Sequence, residues 1–162
     1  LQLGPEGFGL LSAGVGVGAL AAAVGLAGSG RPSYRSILIA AVSFSLLLSA
    51  ASLAQWFPLA WLLVTAFSFT ASLFTMSSNS TLQLRAPDAL RGRVMGLYTT
   101  LVMGATPLGA LFTGFLARAA GIRLTMFTWG GVCLLATVLG VLLSQRRARI
   151  APVLNSQFSI PK

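Results

Sequence analysis

The chain has 162 residues, of which 56% are hydrophobic and only 8% are charged. Soluble domains carry about 25% charged residues, so this composition excludes a protein whose surface is covered by water. The net charge of +9 would suit a nucleic acid partner, but the cations lie in short clusters between long uncharged stretches. The sequence therefore predicts an integral membrane protein in a lipid bilayer, with no nucleic acid partner.

The uncharged stretches predict transmembrane helices in chain order. A bilayer span needs about 20 apolar residues, and the stretch over 36–84 is long enough for two spans around an interruption at Pro58. We therefore expect an all-α polytopic bundle over residues 1–145 and an unstructured cytoplasmic tail over 146–162. The five predicted spans are approximately 8–27, 36–54, 58–81, 95–117 and 124–143.

The distribution of cations predicts the orientation of these spans. Most arginines fall in the segments on one side of the bundle, whereas the other side has Arg118 and Arg123 against Glu6. The positive-inside rule then places the amino terminus outside and the carboxyl terminus in the cytoplasm, across the plasma or inner membrane. Five spans with an external amino terminus and no initiator Met indicate a fragment that at least one further span precedes.

Small residues predict where the helices approach each other closely, because little else drives packing between helices in lipid. Pro107 predicts a kink in the fourth span, which is either a static packing feature or a bending point during transport. The glycines assigned to helix packing are Gly14 and Gly18 in the first span, and Gly104, Gly109 and Gly114 in the fourth.

The end of the third span is the most polar passage within any apolar stretch. Polar side chains in lipid are costly unless they face protein or water, so they either join helices by hydrogen bonds or line a cavity. Asn79 is the strongest single candidate for a transport pathway. The complete candidate set is Ser78, Asn79, Gln83, Thr106 and Pro107.

Groups that carry chemistry are missing from the spans. The two acids, Glu6 and Asp88, lie outside them, and the chain has no His. A coupling carboxylate is therefore expected elsewhere in a larger protein. The sequence has no phosphate-binding Gly loop, metal-ligand cluster or nucleophile–base pair, so we expect neither an enzyme nor a bound metal or cofactor.

The segment from Gln83 to Arg93 reads QLRAPDALRGR, and a Gly-rich helix with Pro107 follows it. This pattern resembles the loop before the penultimate helix in the major facilitator superfamily, especially its enterobactin-exporter-like and multidrug-efflux-like branch. The resemblance implies that the five spans correspond to helices 8–12 of a twelve-helix transporter. The Gly-rich turn that contains Arg31 departs from the family pattern because it lacks the Asp found there.

Asp88, Arg91 and Arg93 are the candidate cytoplasmic gate. Pro87 and Asp88 suit the start of a helix, and Arg91 lies one turn further on, where an ion pair can form. A loop of this kind sets membrane topology, and the resemblance implies that it also braces one half of the transporter against the other.

These observations predict a fragment of a secondary active transporter that exports a small amphipathic molecule by alternating access with ion antiport. Its partners would be a small-molecule substrate and the missing amino-terminal half. Two alternatives remain open: a permease subunit of another transport system, which would pair with a separate ATPase, and a membrane scaffold protein that does not transport.

Overall fold

The computed structural model describes residues 4–29 and 33–157. These residues form four helices and no strand, which confirms the predicted all-α membrane bundle. The predicted basic turn at Arg31 and the end of the tail over 158–162 lie outside the described residues. The helices are α1 (Pro5–Ser29), α2 (Tyr34–Ser52), α3 (Phe57–Arg85) and α4 (Arg91–Gln157).

A break at Gly121 divides α4 into two lengths, α4a over 91–120 and α4b over 122–157. Gly121 has φ 82° and ψ 157°, a backbone conformation that is essentially restricted to glycine. The apolar run Arg91–Gln145 has 55 residues, which would make an uninterrupted helix of about 80 Å against a hydrocarbon core of about 30 Å. The expected count of about five spans thus corresponds to four helices, the last of which holds two span lengths.

The segments between helices follow from their local sequence. Residues 53–56 connect α2 to α3, and Pro58 occupies the first turn of α3, where its missing N–H costs nothing. At the other end of the chain, α4 continues to Gln157 and therefore runs into the segment predicted as an unstructured tail. Arg and Ala dominate residues 146–151 and are good helix formers, which explains the continuation.

Small side chains make the contacts between helices. α1 packs against α3, α2 packs against both α3 and α4, and α3 touches α4 only slightly. The buried apolar residues among those described are all alanines, whereas large apolar side chains point outwards. This inverted distribution is what lipid surroundings require, since backbones approach closely at small residues and lipid solvates the large ones.

Gly14 and Gly18 lie at the contact between α1 and α3. A Cβ atom at Gly14 would stand 2.8 Å from Thr65 Oγ1, and a Cβ at Gly18 would overlap the Thr65 carbonyl oxygen. Two hydrogen bonds join the same helices: Trp61 Nε1 donates to the Leu10 carbonyl at 2.9 Å, and Ser68 Oγ donates to the Val15 carbonyl at 2.8 Å. Close glycine contact and hydrogen bonds between helices therefore occur together at this interface.

Gly130 has the corresponding role between α2 and α4b. A Cβ there would overlap Ser49 Oγ and stand 2.9 Å from the Ser45 carbonyl oxygen. Both serines donate to carbonyls of their own helix, Ser45 to Ala41 at 2.9 Å and Ser49 to Ser45 at 3.0 Å. Their hydroxyls are thus satisfied within α2, and Gly130 lets α4b approach the α2 backbone.

Helix α4a is exposed along most of its length. A Cβ at Gly104, Gly109 or Gly114 would meet nothing within 4 Å. The large apolar side chains of this segment, such as Leu111 and Phe115, are each 71% exposed. The described helices therefore supply no packing partner for these three glycines, and their assignment to helix packing stays a prediction.

Candidate substrate pathway and cytoplasmic loop

The final three turns of α3 combine buried and exposed polar groups. Ser77 is buried, Ser78 and Asn79 are half-buried, and Gln83 is exposed. Gln83 Nε2 donates a hydrogen bond of 2.6 Å to Asn79 Oδ1 one turn earlier. The structure thus brings together Ser78, Asn79 and Gln83, three of the five pathway candidates, on one stretch of helix.

Thr81 adds a polar group that is not among the five pathway candidates predicted from the sequence. Its Oγ1 is buried and has no hydrogen-bond partner among the described residues. A buried hydroxyl without a partner is costly, so this atom is suited to a polar partner from another helix, water or a ligand. Thr81 lies in the polar run from Ser77 to Gln83, which is the sequence signal that could have marked it as a candidate. The missing hydrogen-bond partner of its hydroxyl is visible only in the structure.

Thr106 and Pro107 lie apart from this group. Both are exposed on α4a, and Thr106 Oγ1 donates to the Val102 carbonyl of its own helix at 2.9 Å. The helix continues through Pro107, and its non-helical residue is Gly121 instead. Thr106 and Pro107 thus lie on a different helix from Asn79, and no hydrogen bond recorded among the described residues joins them to it.

The candidate gate is an exposed turn between α3 and α4. The Leu90 N–H donates to the Pro87 carbonyl at 2.9 Å and closes the turn, so α4 begins at Arg91 and not at Pro87. Arg91 and Asp88 form an ion pair of 2.6 Å, and their side chains are 50% and 91% exposed. Such a pair contributes only about 0–1 kcal/mol, so it can be exchanged at little cost. Arg93 is exposed two residues further on.

A groove of about 630 Å³ lies between α2, α3 and α4b. Phe44, Phe74 and Cys133 are among the residues that line it, and the hydroxyl groups of Tyr34 and Ser144 meet at one end, 3.2 Å apart. This groove is not among the sites predicted from the sequence. Its signal in the sequence was the pair of small residues Ala136 and Gly140, spaced by one helical turn.

The apolar middle parts of the described helices contain no acidic residue, and the charged residues nearest to them are mostly arginines. No group of three or more His, Cys, Asp or Glu residues that could hold a metal ion occurs in the portion of the chain that the structure describes. The described helices therefore present three features that suit a ligand or a partner helix: a short polar surface at the end of α3, an exchangeable ion pair beside it, and an apolar groove.

Known proteins similar to this chain are membrane transporters. Residues 1–158 match the family described as transmembrane secretion effector, MFS_3. The multidrug efflux pump Tap of Mycolicibacterium fortuitum is 30% identical over 145 residues, which are 88% of this chain and 36% of that protein. Tap of Mycobacterium tuberculosis H37Rv is 49% identical over 47 residues, 29% of this chain and 11% of that protein.

The chain spans about a third of the length of the longest-matching of these relatives. No solved structure is detectably similar to it. The match over nearly the whole chain, together with apolar helices long enough to cross a bilayer, identifies a multi-pass membrane protein. The chain belongs to the transmembrane secretion effector family of major facilitator transporters.

Proposed function

We propose that this chain forms one wall of a secondary active exporter of small amphipathic molecules, which works by alternating access with ion antiport. The observation that carries the proposal is the family match over residues 1–158, joined by similarity to a multidrug efflux pump. The remaining wall would be the amino-terminal half of the same transporter, which the partial coverage of the relative supports. The membrane would be the plasma or inner membrane, with the carboxyl terminus in the cytoplasm.

The polar end of α3 is the proposed substrate-facing surface. Ser78 and Asn79 are half-buried, Gln83 is exposed, and Thr81 Oγ1 lacks a partner among the described residues. A surface of amide and hydroxyl groups without fixed charge is suited to orienting amphipathic molecules of varied shape, since a few polar groups in an apolar site set orientation. The substrate is therefore expected to be held by apolar contact and oriented by Asn79.

The segment from Asp88 to Arg93, which joins the turn after α3 to the start of α4, is the proposed cytoplasmic gate. Its ion pair is exposed and weak, so Asp88 can exchange Arg91 for another cation when the halves of the transporter approach. Rocking of two halves about a central site is the general motion of such transporters. The gate would close one end of the pathway in one of the two states.

The coupling group would lie outside this chain. Glu6 lies in the first turn of α1, Asp88 lies in the turn between α3 and α4, and the sequence has no His to carry a proton. An ion-coupled exporter needs a titratable group within the membrane. We therefore place that group in the remaining part of the transporter.

The test measures efflux by the intact transporter in vesicles, with ethidium as a small amphipathic probe and an imposed proton gradient. Efflux should stop when a protonophore collapses the gradient. Asn79→Leu should lower efflux severalfold, whereas Thr100→Val should leave it unchanged, because Thr100 is exposed and bonds its own helix carbonyl. Efflux that needs ATP instead of a gradient would favour a permease subunit, and no efflux of any probe would favour a scaffold.

A further inference from the structure

The groove between α2, α3 and α4b has the dimensions of a ligand site. Its volume is about 630 Å³, within the range of about 300–1,000 Å³ typical of small-molecule pockets. Ala41, Ala136 and Gly140 create the space, and Phe44 and Phe74 contribute aromatic surface to its wall. An apolar groove of this shape in a membrane protein accepts an apolar chain.

One end of the groove is polar and lies in a positively charged region. The Tyr34 and Ser144 hydroxyl groups form a hydrogen bond of 3.2 Å there, and both residues are exposed. Helix α2 begins at Tyr34, so the positive end of its dipole points to the same place. Arg35 is exposed and follows directly in the chain.

Further cations flank Tyr34 and Ser144 in the sequence. Arg31 precedes α2, and Arg146 and Arg147 follow Ser144 within one helical turn. Of the two acids of the chain, Glu6 belongs to the predicted outer side, and Asp88, on the predicted cytoplasmic side, pairs with Arg91. This is the side that the positive-inside rule assigns to the cytoplasm, where the leaflet contains anionic lipids.

We propose that the groove binds an anionic phospholipid. One acyl chain lies along Phe44 and Phe74, and the headgroup phosphate sits at the polar end near Tyr34, Ser144 and Arg35. The charge of this end decides the lipid class, because a zwitterionic headgroup gains far less from a cluster of cations than an anionic one does. Ser144 Oγ donates to the Val141 carbonyl at 2.8 Å, so the Tyr34 hydroxyl is the donor of the pair and can turn from Ser144 to the phosphate.

The experiment is native mass spectrometry of the full chain, released from mild detergent after equilibration with equal amounts of phosphatidylglycerol and phosphatidylcholine. We expect one retained phosphatidylglycerol per chain, with a preference of at least about fivefold over phosphatidylcholine, since each nearby cation contributes about that factor. Arg35→Gln should lower the preference about fivefold. Arg118→Gln should not change it, because Arg118 is an exposed cation near Gly121, far along the chain from the groove.

A second pair of variants tests the groove itself. Gly140 lines the groove and a Cβ there meets nothing within 4 Å, so the side chain of Gly140→Leu starts in open space and occupies part of the groove. Gly131 is equally open but does not line the groove. We expect Gly140→Leu to abolish retention and Gly131→Leu to preserve it.

Two results would overturn the proposal. Equal retention of the two lipids would show that the charged end does not select a headgroup. Retention of phosphatidylglycerol that survives Gly140→Leu would show that the lipid binds elsewhere and would leave the groove to another helix of the transporter. Lipid retention is measured without transport, so the result stands apart from the outcome of the efflux assay.

Discussion

Replacement of Gly18 by Ala is the sharpest test of the α1–α3 contact. The added Cβ would overlap the Thr65 carbonyl oxygen and stand 2.9 Å from the Phe69 backbone nitrogen, atoms that cannot move without shifting α3. Overpacking of this kind costs about 1–3 kcal/mol, and backbone atoms place it in the upper half of that range. Separation of the helices also breaks the bond from Ser68 Oγ to the Val15 carbonyl, worth about 0.6 kcal/mol in a membrane.

Gly16→Ala is the matched control, because a Cβ at Gly16 meets nothing within 4 Å. Both variants gain up to about 1 kcal/mol from the higher helix propensity of Ala, so the difference between them isolates the clash. We expect Gly18→Ala to be less stable than Gly16→Ala by about 3 kcal/mol. The assay is unfolding of the purified chain by sodium dodecyl sulfate, followed by far-ultraviolet circular dichroism. Equal transition midpoints for the two variants would refute the proposed contact.

Three further changes probe the other contacts. Gly130→Ala should cost about 2 kcal/mol or more through overlap with α2, whereas Gly131→Ala should be neutral or slightly stabilising in the same unfolding assay. Ser68→Ala should cost about 0.5–1 kcal/mol, since it removes one hydrogen bond between helices, and a loss above about 2 kcal/mol would contradict that cause. Asp88→Asn should change the free energy of unfolding by less than about 0.5 kcal/mol, because the ion pair of Asp88 with Arg91 is exposed to water. This small difference should be smaller still at high salt than at low salt, because salt screens the pair.

The helices were predictable because lipid imposes simple requirements on the sequence. Uncharged stretches of span length mark α1, α2 and α3, and the interruption at Pro58 marks the turn between the last two. Pro87 and Asp88 suit a helix start, yet α4 begins at Arg91, because the Leu90 N–H closes a turn onto the Pro87 carbonyl first. Where two local hydrogen-bond patterns compete, the sequence does not show which of them forms.

The contacts were predictable only in part. The spacing of Gly14 and Gly18 marked one face of α1, and that face meets α3. Gly130 and Gly131 are adjacent, so spacing alone could not tell which of them faces α2. The groove needs three helices at once, so the small pair Ala136 and Gly140 could mark only one of its walls.

The break at Gly121 has a consequence for how the protein enters the membrane. If residue 121 could not adopt its positive φ, α4a and α4b would form one continuous helix longer than a single bilayer span. The cation distribution predicts that α4a and α4b cross the bilayer in opposite directions, so a continuous helix would carry the basic segment after Ser144 to the opposite side. A bulky residue at this position should therefore produce a mixture of topologies, detectable by a reporter fused to the carboxyl terminus. The backbone conformation of Gly121 thus offers a direct test of the carboxyl-terminal orientation predicted from the sequence.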